Sequence, residues 1–373
     1  FNGNFNYDYG QGIRQSNIEA EFDSGEHVIK LSGYSSYRCT VDFKNTDYSI
    51  EVLQWGKGRM MNGWNMDMYN ISKIHEPEPE EILVNYRKGK FTEIPEWLFS
   101  KKENSQGTSK FFNCDAITTI PENLFKNCVN VKNLSEVFYN CKGLTSIPEN
   151  LFKYNTEVVD LQGVFNGCEN ITSIPENLFK YNTKVKNISL AFCGNKKITS
   201  IPENLFKNCV NAESFVNTFA RCSGLRTIPE NLFKYNVNVK SFYRIFYNCK
   251  ITTIPENLFK YNINAEDFEN AFADCPNITE IPENLFKYNV NAKSFGVTFR
   301  NSKITTIPEN LFKYNTNVTS FFQTFQGCSR VNNIPDEIIE HAKQVKQRGG
   351  QTSMMFMNCT SASNYSTIPS YMK

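Results

Sequence analysis

The sequence has few of the groups that most catalytic sites require. It contains only three histidines, His27, His75 and His341, and none belongs to a recognisable nucleophile arrangement. No glycine-rich phosphate loop follows a strand-like segment, and no cysteine spacing is typical of zinc. We therefore expect no enzyme activity, no cofactor and no metal.

Charge imbalance and long apolar runs are also missing. The chain has 40 Lys+Arg against 38 Asp+Glu, a net charge of +2, without a basic cluster of the kind that nucleic acid binding requires. No apolar run approaches the roughly 20 residues of a membrane-spanning helix. Neither a nucleic acid partner nor membrane insertion is expected. Because the chain starts at Phe1 rather than Met, we expect a processed or truncated product whose export signal, if any, is missing.

An internal repeat dominates the sequence. The segment Ile-Pro-Glu-Asn-Leu-Phe-Lys occurs eight times, and degenerate copies surround Pro95, Pro335 and Pro369. Up to Pro335 the spacing is 26 or 27 residues. The prolines of the full copies are Pro121, Pro148, Pro175, Pro202, Pro229, Pro255, Pro282 and Pro308. A repeat of this length predicts a solenoid, in which stacked units share the core that one unit cannot build alone.

Each unit has a readable local pattern. The Thr-Ser-Ile or Thr-Thr-Ile before each proline favours a strand, and proline at a first helical position favours a short helix after it. In that helix Glu122 and Lys126 would form an i,i+4 ion pair, repeated in later units. The predicted fold class is an α/β solenoid of about ten units, with a small β-rich N-terminal module.

Both ends of the repeat array depart from the pattern. We predict four parts: a β-rich module over 1–53, an N-terminal cap over 54–90, the solenoid over 91–335, and a C-terminal repeat and cap over 336–373. Alternation predicts strands over His27–Leu31, Arg38–Phe43 and Tyr48–Leu53. The C-terminal part should begin with an amphipathic helix from Asp336 to about Gln347. Residues 76–81 form an acidic segment that is better explained as a solvated loop than as a calcium site.

The chain has 12 cysteines, most of them in one column of the repeat. Asn195 and Ser302 occupy the same column, which indicates a slot for a small side chain that bonds to turn backbone. Stacked side chains point in parallel, which is poor geometry for a disulfide. We therefore predict free, partly buried thiols. The column holds Cys114, Cys141, Cys168, Cys222, Cys249, Cys275, Cys328 and Cys359.

The strings Phe-x-Asn-Cys, Asn-x-Leu-Phe and Leu-Thr-Ser-Ile-Pro, as in Phe138–Cys141 and Leu144–Pro148, resemble the BspA-like leucine-rich repeats. The resemblance covers about residues 91–373. It implies a right-handed solenoid and a role in adhesion to proteins or cells, in bacterial surface proteins or phage-encoded ones. It implies no reaction.

Positions that vary between nearly identical units are the natural place for binding specificity. The variable columns point to a partner-binding face that includes Tyr139, Arg221, Tyr243, Arg244, Tyr247, Arg300 and Phe322. We expect an extracellular, surface-exposed protein that binds a protein ligand or a cell-surface receptor. A phage tail or receptor-binding protein in the virion is the first alternative, and a self-assembling filament or coat is the second. A glycan ligand at the uniform tyrosine column and a homo-oligomer are further possibilities.

Overall fold

Between residues 2 and 87, the computed structural model describes only the backbone of seven short strands. Residues 92–94, 96–99 and 110–373 are described in greater detail. The strands are β1 Asn2–Asp8, β2 Ile13–Glu19, β3 Cys39–Asp42, β4 Ile50–Val52, β5 Trp64–Asp67, β6 Ile71–Ile74, β7 Val84–Arg87 and β8 Phe111–Phe112. A six-stranded sheet has the order β2-β1-β3-β5-β7-β8. Its strands β3, β5, β7 and β8 are parallel, and β4 pairs in parallel with β6.

Strands β3 and β4 confirm the predicted strands over Arg38–Phe43 and Tyr48–Leu53. The predicted strand His27–Leu31 and the acidic segment 76–81 lie outside the described residues. The division of the chain at 53/54, 90/91 and 335/336 stays a prediction.

Beyond β8 the units stack through a ladder of single parallel bridges. The bridges join Asn133, Asp160, Asn187, Ser214, Ser241, Asp267, Ser294, Ser320 and Gln351, each to the next. Around each bridge, backbone N–H groups of one unit donate to carbonyls of the following unit. In the first pair, alternate residues from Leu134 to Asn140 donate over 2.6–3.0 Å. The ladder satisfies backbone groups that would otherwise be buried without partners.

The predicted strand and helix are wrong in the eight units that carry the full motif, whereas in the first unit a 3-10 helix spans Glu96–Phe99. After Pro121 the backbone forms successive i→i+3 turns, with Leu124 N–H donating to the Pro121 carbonyl and Lys126 N–H to that of Asn123. About six residues are too few to sustain an α-helix, since nucleation is unfavourable. The stretch before each proline makes too few backbone hydrogen bonds to form a strand. One of the few is donated by Thr145 N–H to the Thr118 carbonyl at 3.3 Å.

The C-terminal helix is confirmed. Helix α1 spans Asp336–Gln347 and buries Ile338, Ile339, Ala342 and Val345 against the last units. Its chain then turns through Gly349, whose φ of +84° favours glycine. The final unit is closed by the residues that follow, because Met354 N–H donates to the Tyr371 carbonyl and Phe356 N–H to that of Met372.

The predicted Glu–Lys pairs within units do not form in residues 110–373. Instead the Glu122 carboxylate accepts a hydrogen bond from the Asn150 side chain of the next unit at 2.7 Å, and later units repeat this contact. The turn geometry removes the helical spacing on which the expected pair depended. The lysine ammonium lies near tyrosine instead, as Lys153 Nζ does at 5.5 Å from the ring centre of Tyr154.

Three columns of phenylalanine form the core. The first runs from Phe99 to Phe312, with ring centres 5.4–6.2 Å apart between successive units. The second runs from Phe111 to Phe356 at 5.5–5.9 Å. The third starts only at Phe215, because Leu134, Leu161 and Ile188 hold its place in earlier units. These rings are fully or almost fully buried.

The cysteine column lies at the edge of this core. The Cys168 Sγ–H donates to the Phe138 carbonyl of the previous unit at 3.0 Å, and Cys222 and Cys249 repeat the bond at 3.1 Å. Free thiols, as expected, are found at Cys141, Cys168, Cys193, Cys209, Cys222, Cys249, Cys275, Cys328 and Cys359, and all of these but Cys193 are buried. Burial raises the pKa of Cys209 to about 12, which keeps its thiol protonated and unreactive.

Unit length varies without disturbing the stacks. In one unit, two residues separate Cys222 from Leu225. In the next unit, only one residue separates the equivalent Cys249 and Ile251. Leu225 and Ile251 are both fully buried, and the phenylalanine stacks continue across the short unit. The turn after the cysteine therefore absorbs the missing residue.

We predict that Phe219→Ala lowers the free energy of unfolding by about 3–5 kcal/mol, because the ring is fully buried between Phe192 and Phe246. Urea unfolding followed by circular dichroism measures the change. Ile263→Ala, at a side chain that is 51% exposed, serves as the control and should alter stability by less than about 0.5 kcal/mol. Equal effects of the two substitutions would contradict the shared core.

A second prediction concerns thiol reactivity. Among the cysteines of residues 110–373, Cys193 should be alkylated first in the folded protein, because it alone is partly exposed. The others should react only in urea, and peptide mass mapping after iodoacetamide labelling distinguishes them. Since burial raises the folded pKa values of Cys168, Cys209 and Cys222, stability should be retained below about pH 9 and fall above it, where unfolded thiols ionise. Rapid native labelling of Cys168 or Cys222 would be inconsistent with the structure.

Candidate protein-binding face

The bridge ladder displays the variable columns on one strip of surface, which we call the ladder face. It comprises the exposed or half-buried side chains of residues 133–140 and of the equivalent segments in later units. In the segments from Asn133 to Ser320 the bridge residue anchors the backbone two positions later. Asn133 Oδ1 accepts from Ser135 N–H at 2.8 Å, and Ser241 Oγ accepts from Tyr243 N–H at 3.2 Å. The backbone under the variable side chains is therefore fixed.

One variable column has left-handed backbone in every unit. Its φ values lie between +54° and +61°. Where Val164 N–H bonds to the Leu161 carbonyl, Gly163 is the third residue of the turn, the position at which a type II turn requires positive φ. Glycine would fit throughout, yet most units carry larger residues. The column is Glu136, Gly163, Leu190, Asn217, Arg244, Asn270, Val297, Gln323 and Met354.

Side chains in that column carry a conformational penalty. A non-glycine residue with left-handed backbone costs roughly 1–2 kcal/mol, and β-branched Val297 is especially unusual there. The backbone thus explains glycine or asparagine in this column but gives no reason for Arg244. Strained residues of this kind are a reason to look for function.

Three of the predicted site residues form one cluster. The Arg244 guanidinium lies over two rings, with its Cζ 5.0 Å from the ring centre of Tyr243 and 5.2 Å from that of Tyr247. A guanidinium held between aromatic rings combines cation–π attraction with N–H donors directed outward. The Arg244 Nε is buried and has no hydrogen-bond partner among the described residues.

Arg300 belongs to a neighbouring network two units later. Its Nη2 donates to Asp274 Oδ2 at 2.6 Å, and the pair is partly buried. Burial alone would raise the pKa of the Asp274 carboxyl, but hydrogen bonds from Arg300 and Asn301 and the charge of Arg300 lower it overall. The Tyr247 side chain also helps to lower this pKa, so this network lies next to the Arg244 cluster.

The remaining predicted residues are less concentrated. Arg221 is exposed in the unit before Tyr243, and Phe322 is half-buried in the unit after Arg300. Tyr139 lies three units before Arg221 and packs edge-on against Phe112 at 6.1 Å. Five successive units thus carry six of the seven predicted residues on the ladder face, and Tyr139 stands apart.

The sequence alone did not single out the acidic residues of this face. Burial raises the pKa values of Asp267 and Glu269, one unit after Arg244. Asp274 occupies a second left-handed column that otherwise holds mainly asparagine and glycine, and this substitution was the available signal. The charged groups on the face therefore lie close enough to influence one another.

The described residues contain no cluster of histidine, cysteine and carboxylate side chains suited to a metal ion. Within the same residues, no helix has the length and apolar character needed to cross a membrane.

Stacked units, a continuous apolar core and leucine-phenylalanine motifs define a leucine-rich-repeat solenoid. The BspA type leucine rich repeat region, in six copies, matches residues 92–266 and 226–347. The chain belongs to this family.

Among solved structures, the chain is similar to the Toll–Spatzle complex of Drosophila, with 15% identity over 75% of this chain and a TM-score of 0.31. It is also similar to the APL1 leucine-rich repeat domain, with 12% identity over 58% of this chain and a TM-score of 0.36. The aligned part covers 49% of the length of each. The chain has no significant match among curated proteins.

We predict that glycine at position 244 gives a more stable protein than alanine does, the reverse of the usual order. Arg244→Gly should be more stable than Arg244→Ala by about 1 kcal/mol, because alanine keeps the left-handed strain that glycine lacks. Thermal or urea unfolding of both variants measures the difference. The matched control is position 243, where φ is not positive and alanine should be the more stable choice. The same order at both positions would contradict the assigned backbone.

Proposed function

We propose that this chain is a non-catalytic protein-binding solenoid that engages a protein ligand or cell-surface receptor through its ladder face. The observation that carries the proposal is the Tyr243–Arg244–Tyr247 cluster. It places tyrosine and arginine, the side chains favoured at interface hot spots, on a backbone fixed by the bridge ladder.

Because of its acidic residues, this face carries both positive and negative charges. Arg221 and Arg244 lie in two successive units, and Asp267, Glu269 and Asp274 lie in the next. An alternation of this kind favours a partner with complementary charges, since like charges brought together at an interface are strongly unfavourable. The proposed contact residues are Tyr243, Arg244, Tyr247, Arg300 and Phe322, with Arg221 and Tyr139 extending the face toward the N-terminus.

We place this activity outside the cell, at a cell surface, as the BspA-type family suggests. A phage tail or receptor-binding component would use the same face and is the alternative. A filament joined through the C-terminal end of the solenoid receives less support, because the N–H groups of Met354 and Phe356 already donate to the Tyr371 and Met372 carbonyls. A right-handed coil of about ten units, with a separate module over 1–53, completes the proposed architecture.

The test is affinity for a ligand captured from a surface-protein extract and then purified. The triple variant Tyr243→Ala, Arg244→Ala and Tyr247→Ala should weaken binding by roughly 100-fold, equivalent to about 2–3 kcal/mol. Surface plasmon resonance with the purified ligand measures the loss.

The matched control changes three exposed tyrosines away from the ladder face, Tyr154, Tyr181 and Tyr261, to alanine. This variant should bind normally. Undiminished affinity of the first variant, with folding verified by urea unfolding, would refute the assigned face.

A further inference from the structure

A second surface, unrelated to the ladder face, carries most of the exposed apolar side chains. Of the 14 exposed large hydrophobic residues in the described chain, 11 lie in two columns at one turn of the repeat. We call this surface the lysine–tyrosine edge. It comprises Tyr154, Tyr181, Tyr235, Tyr261, Tyr288 and Tyr314, the turn residues Val129, Val210, Val237, Ile263 and Val290, and the lysine that precedes the tyrosine position in each unit.

The turn residues are held firmly in their exposed positions. Asn264 Nδ2 donates to the Val237 carbonyl, and Asn291 Nδ2 to the Ile263 carbonyl, both at 3.0 Å. Ile263 is 51% exposed, the largest value among the apolar side chains. Threonine fills the same position in other units, as Thr156 does, so the turn itself does not require an aliphatic residue. Valine and isoleucine at an exposed turn therefore suggest a contact with something apolar.

The lysines cover the faces of the tyrosine rings. Lys234 Nζ lies 5.6 Å from the ring centre of Tyr235 and 5.9 Å from that of Tyr261, and Lys260 is shared in the same way between Tyr261 and Tyr288. A sugar stacked on these rings would have to displace the ammonium groups. The edge offers ammonium groups, the rims of phenol rings and aliphatic turn residues rather than open ring faces.

Its uniformity indicates what kind of partner fits. The ladder face varies from unit to unit, as a site for one specific protein would, whereas this edge repeats lysine in all eight full copies of the motif and tyrosine in six of them. Repetition suits a partner that is itself uniform along its length. A second copy joined by a two-fold axis through this edge would oppose lysine to lysine. A linear polyanion would pair with lysine but gain nothing from Val237, Ile263 and Val290.

We propose that the lysine–tyrosine edge adsorbs to an anionic lipid surface. Lysine would contact phosphate groups, tyrosine would lie at headgroup depth, and the aliphatic turn residues would enter the boundary with the acyl chains. The contact is peripheral and leaves the ladder face free for its own ligand. It does not depend on the protein-binding function proposed above.

The experiment is co-sedimentation of the full chain with vesicles of phosphatidylcholine containing phosphatidylglycerol, compared with phosphatidylcholine alone. The chain should partition onto the anionic vesicles. The triple variant Lys234→Gln, Lys260→Gln and Lys287→Gln should bind roughly 100-fold more weakly, at about fivefold for each lysine. Val237→Ser, Ile263→Ser and Val290→Ser together should weaken binding by about tenfold.

Two controls separate this edge from general charge and from the ladder face. Lys142→Gln, Lys250→Gln and Lys303→Gln remove the same charge from exposed lysines elsewhere in the unit and should leave binding nearly unchanged. The Tyr243, Arg244 and Tyr247 alanine variant should also bind vesicles normally. Urea unfolding confirms that each variant folds.

Several results would overturn the proposal. These are no sedimentation with anionic vesicles, equal losses in the two lysine triples, or loss of vesicle binding in the ladder-face variant. Sensitivity to the edge lysines combined with indifference to the serine substitutions would also overturn it, and would indicate a soluble polyanion such as a sulfated polysaccharide.

Discussion

Stacking of identical rings at a fixed interval is the interaction on which the rest of this structure depends. Backbone rungs in a parallel ladder repeat at about 4.8 Å. The phenylalanine centres are 5.4–6.2 Å apart, and most successive rings within a column are nearly parallel. Offset stacking reconciles the two spacings. Each unit must therefore present its rings in nearly the same place as its neighbours, which explains why the inward positions tolerate so little change.

The same constraint explains how the amide N–H groups of buried asparagines find acceptors. Asn182 lies wholly inside the core, and its side-chain amide donates to the carbonyls of Phe152 and Asn155 in the preceding unit. Cys209 takes the equivalent place in another unit, where no such donor is present. Hydrogen bonds between successive units thus accompany the ring contacts, and the ladder of bridges has support on more than one side.

Much of this architecture could be predicted from the sequence, and the failures have a common cause. The 26- or 27-residue period, the inward Leu124 and Phe125, the free thiols and helix α1 followed from spacing and residue type. In the eight units with the full motif, the short helix after the proline and its Glu–Lys pair did not form. Local propensity describes an isolated segment, whereas stacking decided its backbone here: the chain folds into successive turns, and Glu122 bonds to Asn150 of the next unit. Similarly, residue types suggested Arg244 and Tyr247 as site residues, but the proximity of Asp274 depends on the register between units.

Variation in unit length has a consequence for how this chain can change. The turn after Cys249 lacks a residue that the turn after Cys222 contains, while the buried positions on both sides keep their places. Length is therefore least constrained at this corner, and longer excursions of chain could be added there without altering the pitch of the coil. Successive corners lie one above another, so such additions would form a new row of loops along the molecule. A protein built in this way can acquire an additional surface by insertion while its existing faces are preserved.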